Sequence, residues 1–298
     1  FLLHKRNFGI IAISMFIQYN KELKFKIQTL RCIMFDKKNR ILLKELVKTD
    51  FKLRYQGSVI GYIWSVLKPL MLFAVMYVVF IYFLRFGADV PHFAVALLLG
   101  MVLWSFFTET TNLGLMSVVS KGDLLRKLSF PTEIIVISVS LNALINLLIS
   151  LVIVFIFGLV NHVDISKLAF LTPLLLVELY AFSLGVAFIL ATIYVRFRDI
   201  APIWEVFLQI GMYLTPIIYP VTLVMQKSTF FAKLFLLNPM AQIIQDMRYL
   251  LTSKVNITVW QMINHKWIVA IPYIIPFIVL AYGYYVFKKN SKKFAEII

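Results

Sequence analysis

Apolar segments about as long as a bilayer is thick recur along this chain, separated by short basic or turn-forming stretches. Nothing else constrains its fold so tightly. The hydrocarbon core of a membrane needs about 20 mainly apolar residues in helical form, and six segments supply them. They lie near Val59 to Leu84, Phe93 to Val119, Thr132 to Val160, Leu168 to Val195, Ala201 to Tyr219 and Trp267 to Phe287. Inside lipid, backbone polar groups must be satisfied within the segment itself, which selects helix. The expectation is an all-α integral membrane protein with six transmembrane helices. A content of 61% hydrophobic and 15% charged residues lies outside the range of a soluble domain.

The net charge of +16 raises nucleic acid as a partner, but the distribution of that charge argues for a membrane surface. Of the Lys and Arg residues, 22 lie before Ser58, between Lys121 and Lys127, at Arg196 and Arg198, and after Phe287. Seven lie on the opposite side, and Lys68 falls within the first span. The positive-inside rule then places both termini in the cytoplasm, with the basic loops against anionic headgroups. No polar domain remains to bind nucleic acid. The loops RFGADVPH and NHVDISK are too short for an extracellular domain. Cys32 is the single cysteine, and His4, His92, His162 and His265 lack ligand spacing, so no disulfide or metal motif is legible.

Residues 1–33 contain an apolar run, Phe8 to Ile17, too short to span and without a cleavage site. They are expected to be an extra or poorly ordered segment. Residues 34–57 follow as an amphipathic interface helix. Leu42, Leu43, Leu46, Val47 and Phe51 fall at helical spacing, with Lys44, Glu45, Lys48 and Lys52 around the other side, as in a helix lying in the cytoplasmic interface. Residues 58–298 form the six-span domain.

Between spans five and six, Thr215 to Leu251 is membrane-grade in hydrophobicity yet interrupted by prolines and polar residues. Pro216 and Pro220 end span five, and Ser228 to Leu237 suits a short helix. LNPMAQIIQDMRYLL then carries Asn238 as a cap and Pro239 at the first helical position. Met240, Ile243, Ile244, Met247, Leu250 and Leu251 repeat on one face, while Gln242, Gln245, Asp246 and Tyr249 share the other. The expectation is a re-entrant hairpin on the non-cytoplasmic side, with the polar face toward whatever passes.

Motifs of catalysis are missing. The chain has no Gly-Lys pair and hence no phosphate-cradling loop, and it lacks GxSxG and HExxH. Glu109, Glu178 and Glu205 fall in or near apolar spans, where an acid costs about 2.5–3.5 kcal/mol. They stand on three different helices without a basic partner spaced nearby, which specifies neither a proton relay nor an ion site. A structural hydrogen-bonding role is expected, with Asn142 and Asn146 as packing residues. Lys68, ten residues into span one, is expected to face a protein neighbour or an aqueous cavity. Two cytoplasmic loops read as docking elements. KGDLLRKLSFP sets Leu124, Leu125 and Leu128 beside Asp123, Arg126 and Lys127, while VRFRDIAP carries Arg196, Arg198 and Asp199.

An interfacial helix, GSVIGYIWSVLKPL, RKLSFP, RFRDI, TPIIYP and LNPMAQIIQDMRYLL follow the order seen in membrane subunits of type-2 ABC exporters for polysaccharides. From about Met34 onward the chain resembles these O-antigen, capsule and teichoic-acid permeases. The resemblance implies a homodimer in the bacterial inner membrane, joined to two separate ABC ATPase subunits. ATP and Mg would belong to those subunits, with no cofactor in this chain, and a lipid-linked glycan would be the substrate. It further implies that Asp123, Leu124, Leu125, Arg126, Lys127, Arg196, Arg198 and Asp199 receive the ATPase stroke. Trp64, Lys68, Tyr77, Phe207 and Tyr213 would line the channel. Pro216, Pro220, Gln242, Gln245, Asp246 and Tyr249 would belong to an outer gate. Two alternatives remain: an ABC permease exporting a drug or small lipid, and a membrane enzyme acting on lipid-linked sugars.

Overall fold

The computed structural model describes residues 37–55, 61–85, 90–163 and 166–297. Among these, every regular element is helical. The expected N-terminal segment, residues 1–33, lies outside the described residues.

Helix α1 spans Lys37–Tyr55. After a single turn at Gly61–Ile63, α2 runs from Trp64–Met76 and widens into a π-helical stretch at Tyr77–Phe83. Two long helices follow, α3 at Phe93–Ser120 and α5 at Glu133–Val160, with the short α4, Gly122–Lys127, between them. Helix α6, Thr172–Tyr194, is preceded by a tight turn at Lys167–Leu171. Then come α7 at Ile200–Leu214, α8 at Val221–Lys227, α9 at Thr229–Leu236 and α10 at Pro239–Leu251. The chain closes with α11 at Val259–Met262, α12 at Lys266–Asn290 and α13 at Phe294–Ile297.

Four of these helices are long and apolar enough to cross a bilayer: Phe93–Ser120, Glu133–Val160, Leu168–Tyr194 and Lys266–Lys293. The other two apolar runs, Leu70–Phe83 and Ile200–Leu214, are shorter. The fifth expected span stops five residues early for a local reason. Pro216 clashes with a helical residue before it, and Thr215 accordingly turns extended, with φ −89° and ψ 128°. At 15 residues, α7 is about 22 Å long, short of the roughly 30 Å hydrocarbon core.

Helix α3 forms the centre of the molecule, with Ala96, Leu97, Leu99 and Leu103 fully covered. Helices α5 and α12 instead turn large apolar side chains outward, among them Val152, Phe155, Ile156, Ile274, Phe277 and Ile278. Such an outer surface is stable only against lipid, and the protein is a multi-pass membrane protein. Little hydrophobic force separates helix–helix from helix–lipid contact there, so association depends on close approach and polar pairing. Helices α6 and α12 meet through Gly185 and Gly283. A Cβ on Gly185 would stand 2.6 Å from the Leu280 amide nitrogen, and one on Gly283 would strike the Gly185 carbonyl. Gly185→Val should therefore force this seam open at a cost of roughly 1–3 kcal/mol or more, read as a lowered melting temperature in detergent, while Ile278→Leu, at an exposed position of α12, should leave it near wild type.

Candidate functional site

The two loops expected to dock a partner come together at one end of the molecule. Helix α4 presents Asp123 and Arg126, both exposed and 4.0 Å apart, and Lys127 and Leu128 are exposed beside them. The helix ends at Lys127. Its apolar stripe is split: Leu125 packs inward against the buried cluster that includes Val195, Phe287 and Phe294, whereas Leu128 stays outside. Val195 precedes the second loop, in which Arg196, Arg198 and Asp199 are exposed. Arg196 donates to the Asn290 side chain at 3.4 Å, and the Arg198 guanidinium lies 4.9 Å from the Tyr194 ring centre.

Beneath both loops, the end of α12 acts as a common support. Phe287 touches Phe188 and Phe294 at ring separations of 5.0 and 5.2 Å. Glu133, first residue of α5 and only 1% exposed, is ion-paired with Lys288 and accepts from the Tyr284 hydroxyl at 3.5 Å. Removing the partner of so buried a carboxylate would strand its charge. Helix α1 joins this end through ion pairs of Asp50 with Lys121 and of Arg54 with Glu109. Glu109 thus has the basic partner that spacing along the sequence did not reveal, together with the Asn146 amide at 2.8 Å. Glu205 remains exposed on α7.

At the opposite end, the broken segment is pinned by Arg248, which is completely buried. Its Nε donates to the Ala96 carbonyl at 2.9 Å, Nη1 to the Pro216 carbonyl at 2.7 Å and Nη2 to the Ile217 carbonyl at 2.5 Å. The Phe93 ring lies 5.8 Å from the guanidinium carbon. Among the described residues the guanidinium has no carboxylate partner; carbonyls released where the chain leaves α7 stand in for one. Asn238 caps α10 by accepting from the Met240 amide at 3.0 Å, with Pro239 in the first turn. Ser228 caps α9, its hydroxyl 3.5 Å from the Phe231 amide.

The polar face of α10, expected to meet whatever passes, turns into the protomer. Gln242, Gln245 and Asp246 are buried, and Tyr249 is half-buried against Trp260. The Gln242 amide donates to Asp246 at 2.9 Å, and the Tyr273 hydroxyl of α12 donates to the same oxygen at 2.6 Å. Glu178 of α6 is buried beside Gln242, and Gln245 donates to the Pro216 carbonyl at 3.4 Å. This polar knot ties α6, α10 and α12 together. Pro216 and Pro220 are themselves buried.

Of the expected channel residues, Trp64, Tyr77, Phe207 and Tyr213 all present exposed rings. Phe207 stacks on Trp204 at 6.4 Å, and the Tyr213 carbonyl accepts from the Tyr219 hydroxyl. The Lys68 side chain lies outside the described residues. Sequence reasoning missed Arg54, Glu133, Arg248, Tyr273 and Lys288. Only Arg248 carried a signal, as a cation on the apolar face of α10 four residues after Ile244.

A multi-pass helical membrane protein with a basic end and a broken, internally braced opposite end is the class that this fold and site define. Within it, the chain belongs to the ABC-2 type transporter family, whose model matches residues 41–252. It is 29% identical over 259 residues to an O-antigen export system permease protein RfbA of Klebsiella pneumoniae, covering 86% of this chain and 95% of the relative. A second protein of that name from the same organism is 28% identical over 261 residues, with the same coverage. One from Myxococcus xanthus is 29% identical over 204 residues, covering 68% of this chain and 77% of its own length.

Arg248→Met keeps most of the volume and removes the donors, leaving the Ile217 carbonyl bare and the Pro216 carbonyl with only the Gln245 amide. A loss of roughly 3 kcal/mol or more is expected, measured as a lower melting temperature, and Arg248→Lys should recover only part of it because one ammonium cannot span all three acceptors.

Proposed function

We propose that this chain is the permease subunit of an ATP-driven exporter that carries a lipid-linked polysaccharide across the bacterial inner membrane. Family membership and the names of three relatives support the class of transport. The observation that carries the mechanism is local: α4 and the Arg196–Asp199 turn rest on one support, formed by the end of α12 and by α13. A push on either loop reaches the same long helix.

In this reading the basic end faces the cytoplasm, as the excess of Lys and Arg there demands, and both termini lie on that side. Helices α2 and α7 join the four long helices as spans one and five, their shortness made up by a second protomer and by local thinning of the bilayer. Two copies pair, and two ATPase subunits dock beneath them. Nucleotide-driven closure of the ATPases moves α4. Asp123, Leu124, Arg126 and Lys127 form the contact, while Leu125, Glu133 and Lys288 pass the motion inward. Exposed rings of Trp64, Tyr77, Phe207 and Tyr213, with Lys68, line the path. The segment carrying Pro216 and Pro220 closes its outer end, held shut by Arg248 and by the knot of Gln242, Gln245 and Asp246.

Co-purification with the ATPase subunit and a glycan-export assay test the reading together. Leu124→Asp is expected to abolish recruitment of the ATPase; recruitment and export at wild-type levels would refute the docking role of α4. Glu133→Lys or Lys288→Glu alone should cut export about tenfold or more, in line with the few kcal/mol carried by a buried ion pair. The double exchange should recover most of it, because the charges again face each other.

A further inference from the structure

A cleft of about 450 Å³ opens between α2, α3 and α5, beside Arg54 at the end of α1. That volume lies within the range of small-ligand sites, yet its chemistry is unusual for a groove among membrane helices. Ser105, Thr108, Glu109 and Asn112 of α3 all line it, recurring every three or four residues through the middle of a 28-residue helix. Facing them from α5 are Asn146 and Ser150, and Trp64 stands at the α2 wall.

Several hydroxyls elsewhere on these helices are satisfied by their own backbone, although the buried Thr110 hydroxyl is not. Thr111 donates to the Phe107 carbonyl, Ser117 to Gly114, Ser138 to Ile135 and Ser140 to Ile137, all within 2.7–2.8 Å. Ser105, Asn112 and Ser150 depart from that pattern and have no side-chain hydrogen bond among the described residues. Ser150 is 8% exposed, and it lines the cleft. Free polar groups at this depth cost free energy unless something pairs with them.

We propose that the cleft docks a sugar ring of a lipid-linked glycan, which enters sideways from the bilayer. The proposal rests on the glycan-export reading above and adds a place of recognition on the permease itself. The lining offers hydroxyls and amides that both donate and accept, as a ring of hydroxyls requires, and Trp64 offers a flat apolar surface to the ring face. A phosphate headgroup fits less well, because Arg54 is already ion-paired with Glu109, and that carboxylate would repel the anion.

The whole chain, reconstituted in phosphatidylglycerol nanodiscs without ATP, is exposed to a diazirine-bearing decyl glucoside, and the labelled peptides are mapped by mass spectrometry. Labelling of α2, α3 and α5 is expected, displaced by excess decyl glucoside. Ser150→Leu and Asn112→Leu, each eluting as wild type, should reduce it about tenfold, the equivalent of one or two hydrogen bonds, while Ser150→Thr should retain it. Equal labelling by a diazirine-bearing alkyl phosphocholine, indifferent to these substitutions, would mean a plain lipid groove and overturn the proposal, as would no labelling of these helices. Failure of the export reading would be seen separately, as wild-type sugar labelling by a chain that supports no glycan export in cells.

Discussion

The Arg248 guanidinium allows this polypeptide to leave an apolar helix without baring its carbonyls. Lipid supplies no hydrogen bonds, and a break in a helix frees carbonyls that would cost several kcal/mol each if left bare. Pro216 makes the break obligatory, and Arg248 caps the carbonyls of Pro216 and Ile217 while holding Ala96 at the start of α3. A cation buried without a carboxylate partner is tolerable because backbone dipoles surround it. The short α7, the α8–α10 turnback and the placement of α10 against the core all follow from that one set of bonds.

The two ends of the molecule are braced by different chemistry. At the basic end, ion pairs join elements far apart in the chain: Asp50 to Lys121, Arg54 to Glu109 and Glu133 to Lys288. Charged pairs of this kind have defined partners and can transmit a displacement between helices that otherwise share only apolar surface. At the other end the links are amide, phenol and carbonyl bonds about α10, buried and short-ranged. The glycine seam of α6 and α12 runs between the two ends and gives them a stiff connection. The helix that supports α4 thus also holds the knot at Asp246 through Tyr273.

Much of the helical layout was legible in the sequence. The runs at Phe93, Thr132, Leu168 and Trp267 became α3, α5, α6 and α12 within a few residues, because twenty apolar residues in lipid have one low-energy conformation. Asn238 acts as the expected cap, for the local reason that a side-chain oxygen finds an unpaired amide two residues on. The failures share a cause. Glu109 was read as lacking a base, and its partner Arg54 stands 55 positions away. The polar face of α10 was read as open, yet it is covered by α6 and α12, whose approach depends on Gly185 and Gly283.

By itself the sequence determined the solvent of this protein, the number and lengths of its apolar runs, the asymmetry of its charge and the points where helices must start or stop. These are properties of neighbouring residues, set by periodicity, proline sterics and transfer free energy. Tertiary structure decided which polar groups meet. In a bilayer apolar contact barely distinguishes a helix from lipid, so Arg248 with its three carbonyls, Glu133 with Lys288, and the pairing of Arg54 with Glu109 could be assigned only once the helices stood beside one another.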